Sequence, residues 1–327
     1  MPNYSGVWSL STQFQNASGW PIAPIPMPSE AAMYMGGYAP SAGVYVNTIE
    51  YVDISTTSNA ADFGDLTQQK FQSASCSSST RGISPGGYLN GGPPVANIDY
   101  FSLAQTGNAA DFGDLSVGAW YSAAASNSTR GLISLGEDAS NDLTTTEYIT
   151  IATTGDATDF GDLTLARGEA SGLASTTRVL ICGGHTTTYV DTIDYFTIAT
   201  TGNALDYGDI TASVRSRLAT CSSSTRGITA GGYTGSAAVN NIEYVTIAST
   251  GNTSDFGDLT VARRGVTGTS SSTRGLFFGG RDTGGSTYYN TIDYITIASL
   301  GNATDFGDLT LATLLGSACS NSHGGLS

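Results

Sequence analysis

Three features of the sequence predict an all-β chain closed into a six-bladed β-propeller. The unit Asp-(Phe/Tyr)-Gly-Asp-(Leu/Ile) occurs six times, with its aromatic residue at Phe63, Phe112, Phe160, Tyr207, Phe256 and Phe306, at spacings of 49, 48, 47, 49 and 50 residues. Two other segments keep this period: Ile-(Asp/Glu)-Tyr, as in Ile193-Asp194-Tyr195, and Ser-Thr-Arg-Gly, as in Ser79 to Gly82. Each period reads as four short β segments without helical periodicity, and self-similarity at roughly 40–50 residues with four strands per unit marks a propeller blade.

Residues 1–31 precede the repeat and are expected to form a separate N-terminal extension. Val7, Leu10 and Phe14 are spaced for one helical face. Pro21, Pro24, Pro26 and Pro28 then favour a stiff, extended chain. Trp8 and Trp20 fall in a stretch with little charge, so Trp8, Phe14 and Trp20 are expected to anchor on a partner rather than remain as exposed apolar area.

Residues 32–327 carry the blades. In the unit that begins at Thr260, residues 261–270 read as a first strand a of small and polar residues, and Thr273-Arg274-Gly275 as a turn. Leu276-Phe277-Phe278 is an apolar strand b closed by Gly279-Gly280. After a variable loop, Thr291 to Ala298 is rich in β-branched and aromatic residues and reads as strand c. Gly301-Asn302 makes a turn, and Asp305 to Leu309 supplies strand d. Complete b-c-d sets fall at 32–66, 82–115, 131–163, 179–210, 227–259 and 275–309. Strands a fall near 68–78, 117–127, 165–175, 213–223, 261–271 and 311–321. The chain thus starts at b and ends just after a, and one C-terminal strand added to three N-terminal ones is expected to complete the last blade and hide its edge.

Composition excludes several classes. Charged residues are 12%, the single Lys is Lys70, and the formal net charge is −15. A basic nucleic-acid-binding face is therefore disfavoured. A coiled coil is rich in Glu and Lys, which are nearly missing here, and an apolar share of 39% argues against disorder. No segment approaches the roughly 18 apolar residues of a membrane span, and Met1-Pro2-Asn3-Tyr4 begins no secretory signal. Cys76, Cys221 and Cys319 share a slot that elsewhere holds Ala125, Leu173 or Thr269. With Cys182 they are expected to be packed thiols. Asp-Phe-Gly resembles the magnesium motif of kinases, but six copies without a nucleotide loop make that coincidence. His185 and His323 lie in different blades and begin no metal spacing, and no Ser/His/Asp set is apparent. A catalytic site normally breaks a repeat's symmetry, and the breaks, such as Gly136-Glu137-Asp138, fall in loops. No enzymatic activity, cofactor or metal is expected.

An apolar run ending in Gly-Gly, a variable loop, a Tyr-bearing strand and an aromatic fourth strand resemble the Kelch repeat across residues 32–327, with the usual Trp of the fourth strand replaced by Phe or Tyr. The consensus also resembles repeats in virion and tail proteins of phages infecting cyanobacteria and other aquatic bacteria. So does the opening Ser5-Gly6-Val7-Trp8-Ser9-Leu10-Ser11 with Gly19-Trp20-Pro21. This second resemblance implies a structural virion protein, whether tail fibre, tail-associated or capsid-surface, made in the host cytoplasm. Residues 1–31 would hold other virion proteins, and the loops would contact a host-surface glycan or protein. A carbohydrate- or protein-binding propeller without a virion role is the alternative.

In an up-and-down blade the a–b and c–d turns share one face. Arg81, Arg130, Arg178, Arg226 and Arg274 fall in a–b turns, with His323 near the sixth place, and Asp159 and Asp162 fall at a c–d turn. The Arg side chains are expected to hold turn carboxylates and the Asp to cap turn backbone. An Arg ring binding an axial anion and calcium in the Asp turns are the alternatives, although two Asp per turn are few for calcium. The other face carries the irregular b–c loops and d–a segments. Tyr88, Trp120, Tyr121, His185, Tyr189, Tyr233, Arg263, Arg281 and Tyr288 are its candidate binding residues, with Lys70, Phe71, Arg167, Arg215, Arg217 and Arg264 in the same segments. Loops on a rigid scaffold, rich in Tyr, Trp and Arg, are where contact surfaces usually form.

Overall fold

In a computed structural model, the protein is described over residues 25–41 and 43–326. Among these there is no helix, and six four-stranded antiparallel sheets form the blades of a propeller. The anchor residues Trp8, Phe14 and Trp20 lie outside the described residues. Blade 2 runs from the centre outward as Cys76–Ser77, Arg81–Pro85, Asn97–Ser102 and Ala110–Asp114. Blade 3 is Ala123–Ser126, Arg130–Ser134, Thr145–Thr150 and Thr158–Asp162. Blades 4, 5 and 6 repeat this order from Ser171–Ala174, Ala219–Ser222 and Thr267–Ser270. The six inner strands touch one another in a closed cycle.

Blade 1 closes the ring as expected. The C-terminal strand Ser317–Ser320 pairs with Ala31–Met35, in the register Ala32 with Ser320 and Met35 with Ser317. Thr48–Asp53 and Ala61–Asp65 complete that sheet. All five residues of Ala31–Met35 are buried. Without the last strand the blade would expose an unpaired inner edge.

The repeated motifs are explained by how the blades meet. Between strands c and d the register shifts in every blade, as between Ile98 and Asp99, so that Phe112 is the extra residue of a bulge. The bulge turns this aromatic inward. Phe112 is buried and its ring lies edge-on to Tyr100 at 5.9 Å. Each apolar cluster joins neighbouring blades; one contains Ile83, Ile98 and Phe112 of blade 2 with Ile133 and Ile149 of blade 3. The glycine of the motif must be glycine. Gly208 has φ +144, and a Cβ there would lie 2.6 Å from the Gly251 carbonyl oxygen of the next blade. The following Asn252 side chain accepts the Asp209 N–H at 3.0 Å, and Gly251 N–H donates to Tyr207 O at 2.8 Å. The same clasp recurs around the ring through Asn59, Asn108, Asp156, Asn203 and Asn302.

This corrects two expectations. Asp159 and Asp162 lie within the outer strand Thr158–Asp162 and not in the turn. The a–b arginines hold carbonyls and not carboxylates. Arg130 donates to Ile198 O of the next blade at 2.7 Å and stacks on Tyr148 of its own blade at 4.5 Å. Arg81, Arg178, Arg226 and Arg274 do the same with Ile151, Ile247, Ile297 and Ile54. Bulk carbonyls at strand ends lack ladder partners, so a guanidinium that spans two blades satisfies one and ties the pair together. His323 does not take the sixth place: Ala31 occupies that register in blade 1. All four cysteines are free and buried, as expected.

Candidate functional site

The b–c loops and d–a segments meet on one face, around the mouth of the central channel. Each d–a segment bridges the first residue of the following b–c loop. The six facing pairs are Leu314 with Tyr38, Phe71 with Tyr88, Trp120 with Glu137, Gly168 with His185, Ser216 with Tyr233, and Arg264 with Arg281. The backbone is the same in all six and the side chains differ in each. At these pairs the repeat varies in size, charge and aromatic character at once.

Beneath the rim lies a set of buried ion pairs that the sequence reading did not anticipate. Arg263 is fully buried and pairs with Asp293 at 2.9 Å, which removes it from the binding face. Arg167 pairs with Asp194 at 2.9 Å, Arg215 with Glu243, and Lys70 with Asp99 at 3.2 Å, all buried. The cation comes from the d–a segment, and the acid is that of Ile-(Asp/Glu)-Tyr in the blade that follows. Lys70 also donates to Ser84 O at 2.9 Å, and Arg167 to Gly183 O at 2.8 Å. Burial lowers the Lys70, Arg215 and Arg263 pKa values, and the facing acids counter it. Ala119 and Thr313 occupy the cation's place before blades 3 and 1. There Glu147 accepts the Ser116 N–H and Glu50 accepts the Thr310 hydroxyl. Burial pushes the Glu50 carboxyl up.

Two residues after each cation position, the chain turns left-handed. Gln72, Tyr121, Glu169, Arg217 and Leu315 have φ between 51° and 59°, and Gly265 has φ 67°. Their backbones form a closed belt around the channel. Tyr121 N–H donates to Gln72 O at 3.0 Å, Glu169 to Tyr121 at 3.1 Å, and Arg217 to Glu169 at 2.9 Å. Gly265 donates to Arg217 at 3.0 Å, Leu315 to Gly265 at 3.1 Å, and Gln72 to Leu315 at 2.7 Å. Each left-handed non-glycine residue costs of order 1 kcal/mol or more, so the belt is held by the surrounding structure. Arg217 reaches over it to Glu169 and to the Tyr121 hydroxyl at 3.1 Å.

The channel behind the belt has a volume of about 140 Å³ and is lined by small side chains such as Ser73, Ala124, Gly172 and Gly268. Its far end is stopped by the C-terminal residues. His323 Nε2 lies 3.0 Å from Ser77 O, and Nδ1 accepts the Gly325 N–H at 3.1 Å, so the ring proton sits on Nε2. Burial pushes the His323 pKa down to about 4.

The rim itself is polarised. Rings run in contact from Tyr288 through Tyr38, Tyr45, Phe71, Tyr88 and Trp120 to Tyr121, with Tyr45 stacked on Phe71 at 4.1 Å and Tyr88 on Trp120 at 4.4 Å. The structure therefore brings Tyr88, Trp120, Tyr121 and Tyr288 into one arc and adds Tyr45, which the sequence reading did not single out. His185, Tyr189 and Tyr233 form a second group, at 4.7 Å and 5.7 Å. Between the groups stand Glu137, Asp142 and Glu169. Burial, then the charges of Asp142 and Glu169, raise the Glu137 carboxyl to about 7. Arg264 and Arg281 lie on the blade 5–6 side. The described residues include no group of three or more His, Cys, Asp or Glu placed to hold a metal ion. Compared with known proteins, the chain matches no family model and no curated sequence.

Proposed function

We propose that this protein is a non-enzymatic structural component of a phage virion that contacts the host surface through the channel-mouth face of its propeller. The observation that carries the contact role is the aromatic and charged character that the mouth pairs of that face take on while their backbone repeats. The opposite face repeats the same Arg–carbonyl bond in five blades. The outer edges repeat the same clasp by an Asn or, once, Asp156, while all six mouth pairs differ. A rigid frame with one variable, aromatic-rich surface is what recognition requires. The virion role rests on the resemblance of the repeat and of residues 5–21 to phage virion and tail proteins. In this reading residues 1–31 dock on other virion proteins and the particle is the site of action.

Mass spectrometry of purified particles tests the assignment directly, and a phage carrying a deletion of residues 1–24, which leaves the blade 1 strand Ala31–Met35 and its neighbours in place, tests the anchor. The protein is expected in wild-type particles and absent from those of the deletion. Detection in infected lysate but not in particles would overturn the virion role. The aromatic arc also supports a second reading, a glycan-binding propeller outside any virion, which predicts glycan-array binding by a protein that is absent from particles.

A further inference from the structure

Nine of the protein's eleven arginines are committed to partners within the fold. Arg81, Arg130, Arg178, Arg226 and Arg274 hold carbonyls of the neighbouring blade. Arg167, Arg215 and Arg263 pair with buried acids, and Arg217 pairs with Glu169. The two that remain, Arg264 and Arg281, face one another at the channel mouth, and of them Arg264 has only a long bond to the Thr283 carbonyl at 3.5 Å. Arg264 N–H donates to Arg281 O at 2.9 Å, and Arg281 N–H to Arg264 O at 2.9 Å, so the side chains leave the backbone side by side. Like charges directly opposed across an antiparallel pair destabilise it. None of the other five mouth pairs carries two like charges.

Among the described residues no carboxylate neutralises this pair. Neither guanidinium pairs with a carboxylate among the described residues, and the Nε of each is shielded from solvent without a hydrogen-bond acceptor. The adjacent Asp282 carboxylate is taken by the N–H groups of Ser286 and Thr287. Glu169 is taken by Arg217 and the Ser216 hydroxyl. The Arg264 guanidinium carbon lies over the Tyr233 ring at 4.0 Å, and Arg281 is bridged to Tyr288, where the aromatic arc begins. Burial and then the Arg281 charge lower the Arg264 pKa, which marks a local positive field in a chain of net charge −15.

We propose that Arg264 and Arg281 form a clamp for the carboxylate or sulfate group of an acidic saccharide, whose sugar rings pack on Tyr288 and the arc beyond it. Two guanidinium forks match a planar or tetrahedral anion. The apolar faces of sugar rings suit a succession of aromatic side chains, as in other sites that combine aromatic walls with a few placed polar groups. An acidic peptide fits less well, because the backbone groups of the rim are already bridged and offer no free edge for strand addition. The proposal rests on the reading of this face as the contact surface and names its ligand class.

The test measures binding of the full chain to polygalacturonate, dextran sulfate, uncharged dextran and polyglutamate by titration calorimetry. The wild type is expected to bind at least one of the two anionic polysaccharides, more weakly as salt rises, and to ignore uncharged dextran. Arg264→Gln with Arg281→Gln is expected to weaken that binding at least tenfold while melting no lower than wild type, since the repulsion is gone. Tyr288→Ala is expected to weaken it severalfold. Failure of the wild type to bind either anionic polysaccharide, unaltered binding by the double variant, or equal binding of polyglutamate would each overturn the clamp. Particle incorporation and adhesion to host cells are read separately: a virion protein that adheres but whose double variant binds as before refutes the clamp alone.

Discussion

Removing residues 311–327 is expected to abolish cooperative unfolding. The loss can be sized from the strand's contacts. Ser317–Ser320 is paired along its length with Ala31–Met35, and at about 0.5–1.5 kcal/mol per hydrogen bond this ladder contributes a few kcal/mol. Leu314, Ala318 and Cys319 are buried, and their transfer from water adds roughly 3–5 kcal/mol. The Ser75 and Ser77 hydroxyls lose the Ala318 and Ser320 carbonyls, and the belt loses both bonds of Leu315. The sum is of order 10 kcal/mol, comparable with the whole stability of a typical domain. The assay is urea unfolding followed by tryptophan fluorescence and far-ultraviolet dichroism. A circular permutant that begins at residue 311 and runs through 327 into residues 1–310 separates the strand from its position in the chain. Its strand a would precede strand b within blade 1, as in every other blade. The permutant is expected to unfold in one transition, and the truncated chain in a broad or early one. A truncated chain that melts like the full one, or a permutant no better than the truncated chain, would refute the closure argument.

Arg167→Met leaves Asp194 buried without its cation and is expected to cost about 3–5 kcal/mol in urea unfolding. Gly208→Ala sets a methyl against the Gly251 carbonyl at a φ that alanine resists, and is expected to lower stability by about 2 kcal/mol or more. His323 is a base whose folded pKa lies below its unfolded value near 6.5. The unfolded chain therefore binds the extra proton as pH falls, and the contribution of the neutral ring is complete above about pH 6.5 and lost down to about pH 4. The wild type is expected to lose up to about 1.4 kcal/mol per pH unit across that window relative to His323→Gln, read from paired urea titrations.

Blade boundaries were legible in the sequence because the constraint on Asp-(Phe/Tyr)-Gly-Asp is local. The bulged aromatic, the glycine pressed by the next blade and the Asn clasp all recur with the period. The faces were legible too, since alternating turns in an up-and-down sheet leave no other assignment. Neighbouring side chains within one segment were not legible. Arg263 and Arg264 are adjacent and chemically identical, yet one is buried against Asp293 and the other lies on the rim. The d–a segment crosses from blade to blade, and its direction at each residue depends on that crossing. One signal was present. A cation stands five or six residues after the second Asp of the motif in four repeats, and in each the next Ile-(Asp/Glu)-Tyr supplies an acid. Two recurring opposite charges in an otherwise charge-poor template point to pairing. The belt left no such trace, because Gln72, Tyr121, Glu169, Arg217 and Leu315 share only a backbone conformation that the sequence does not advertise.

The buried pairs and the belt explain how a variable face can sit on a repeated frame. Segments that carry the rim side chains are short connections, and such connections are ordinarily the mobile part of a fold. Here each is pinned at three consecutive positions: a buried cation or small residue below, a two-way backbone bridge to the b–c loop, and a belt bond to its neighbour. For blade 6 these are Arg263 on Asp293, Arg264 with Arg281, and Gly265 to Arg217. All three use main-chain groups or side chains that point inward, so the frame does not depend on one residue type at the middle position: Phe71, Trp120 and Arg264 are partly exposed there, whereas Leu314, Gly168 and Ser216 are buried. Substitution at the partly exposed positions, Phe71, Trp120 and Arg264, alters the surface and leaves the main-chain bridge in place. An interaction surface built this way presents its groups preorganised, and little ordering entropy remains to oppose binding.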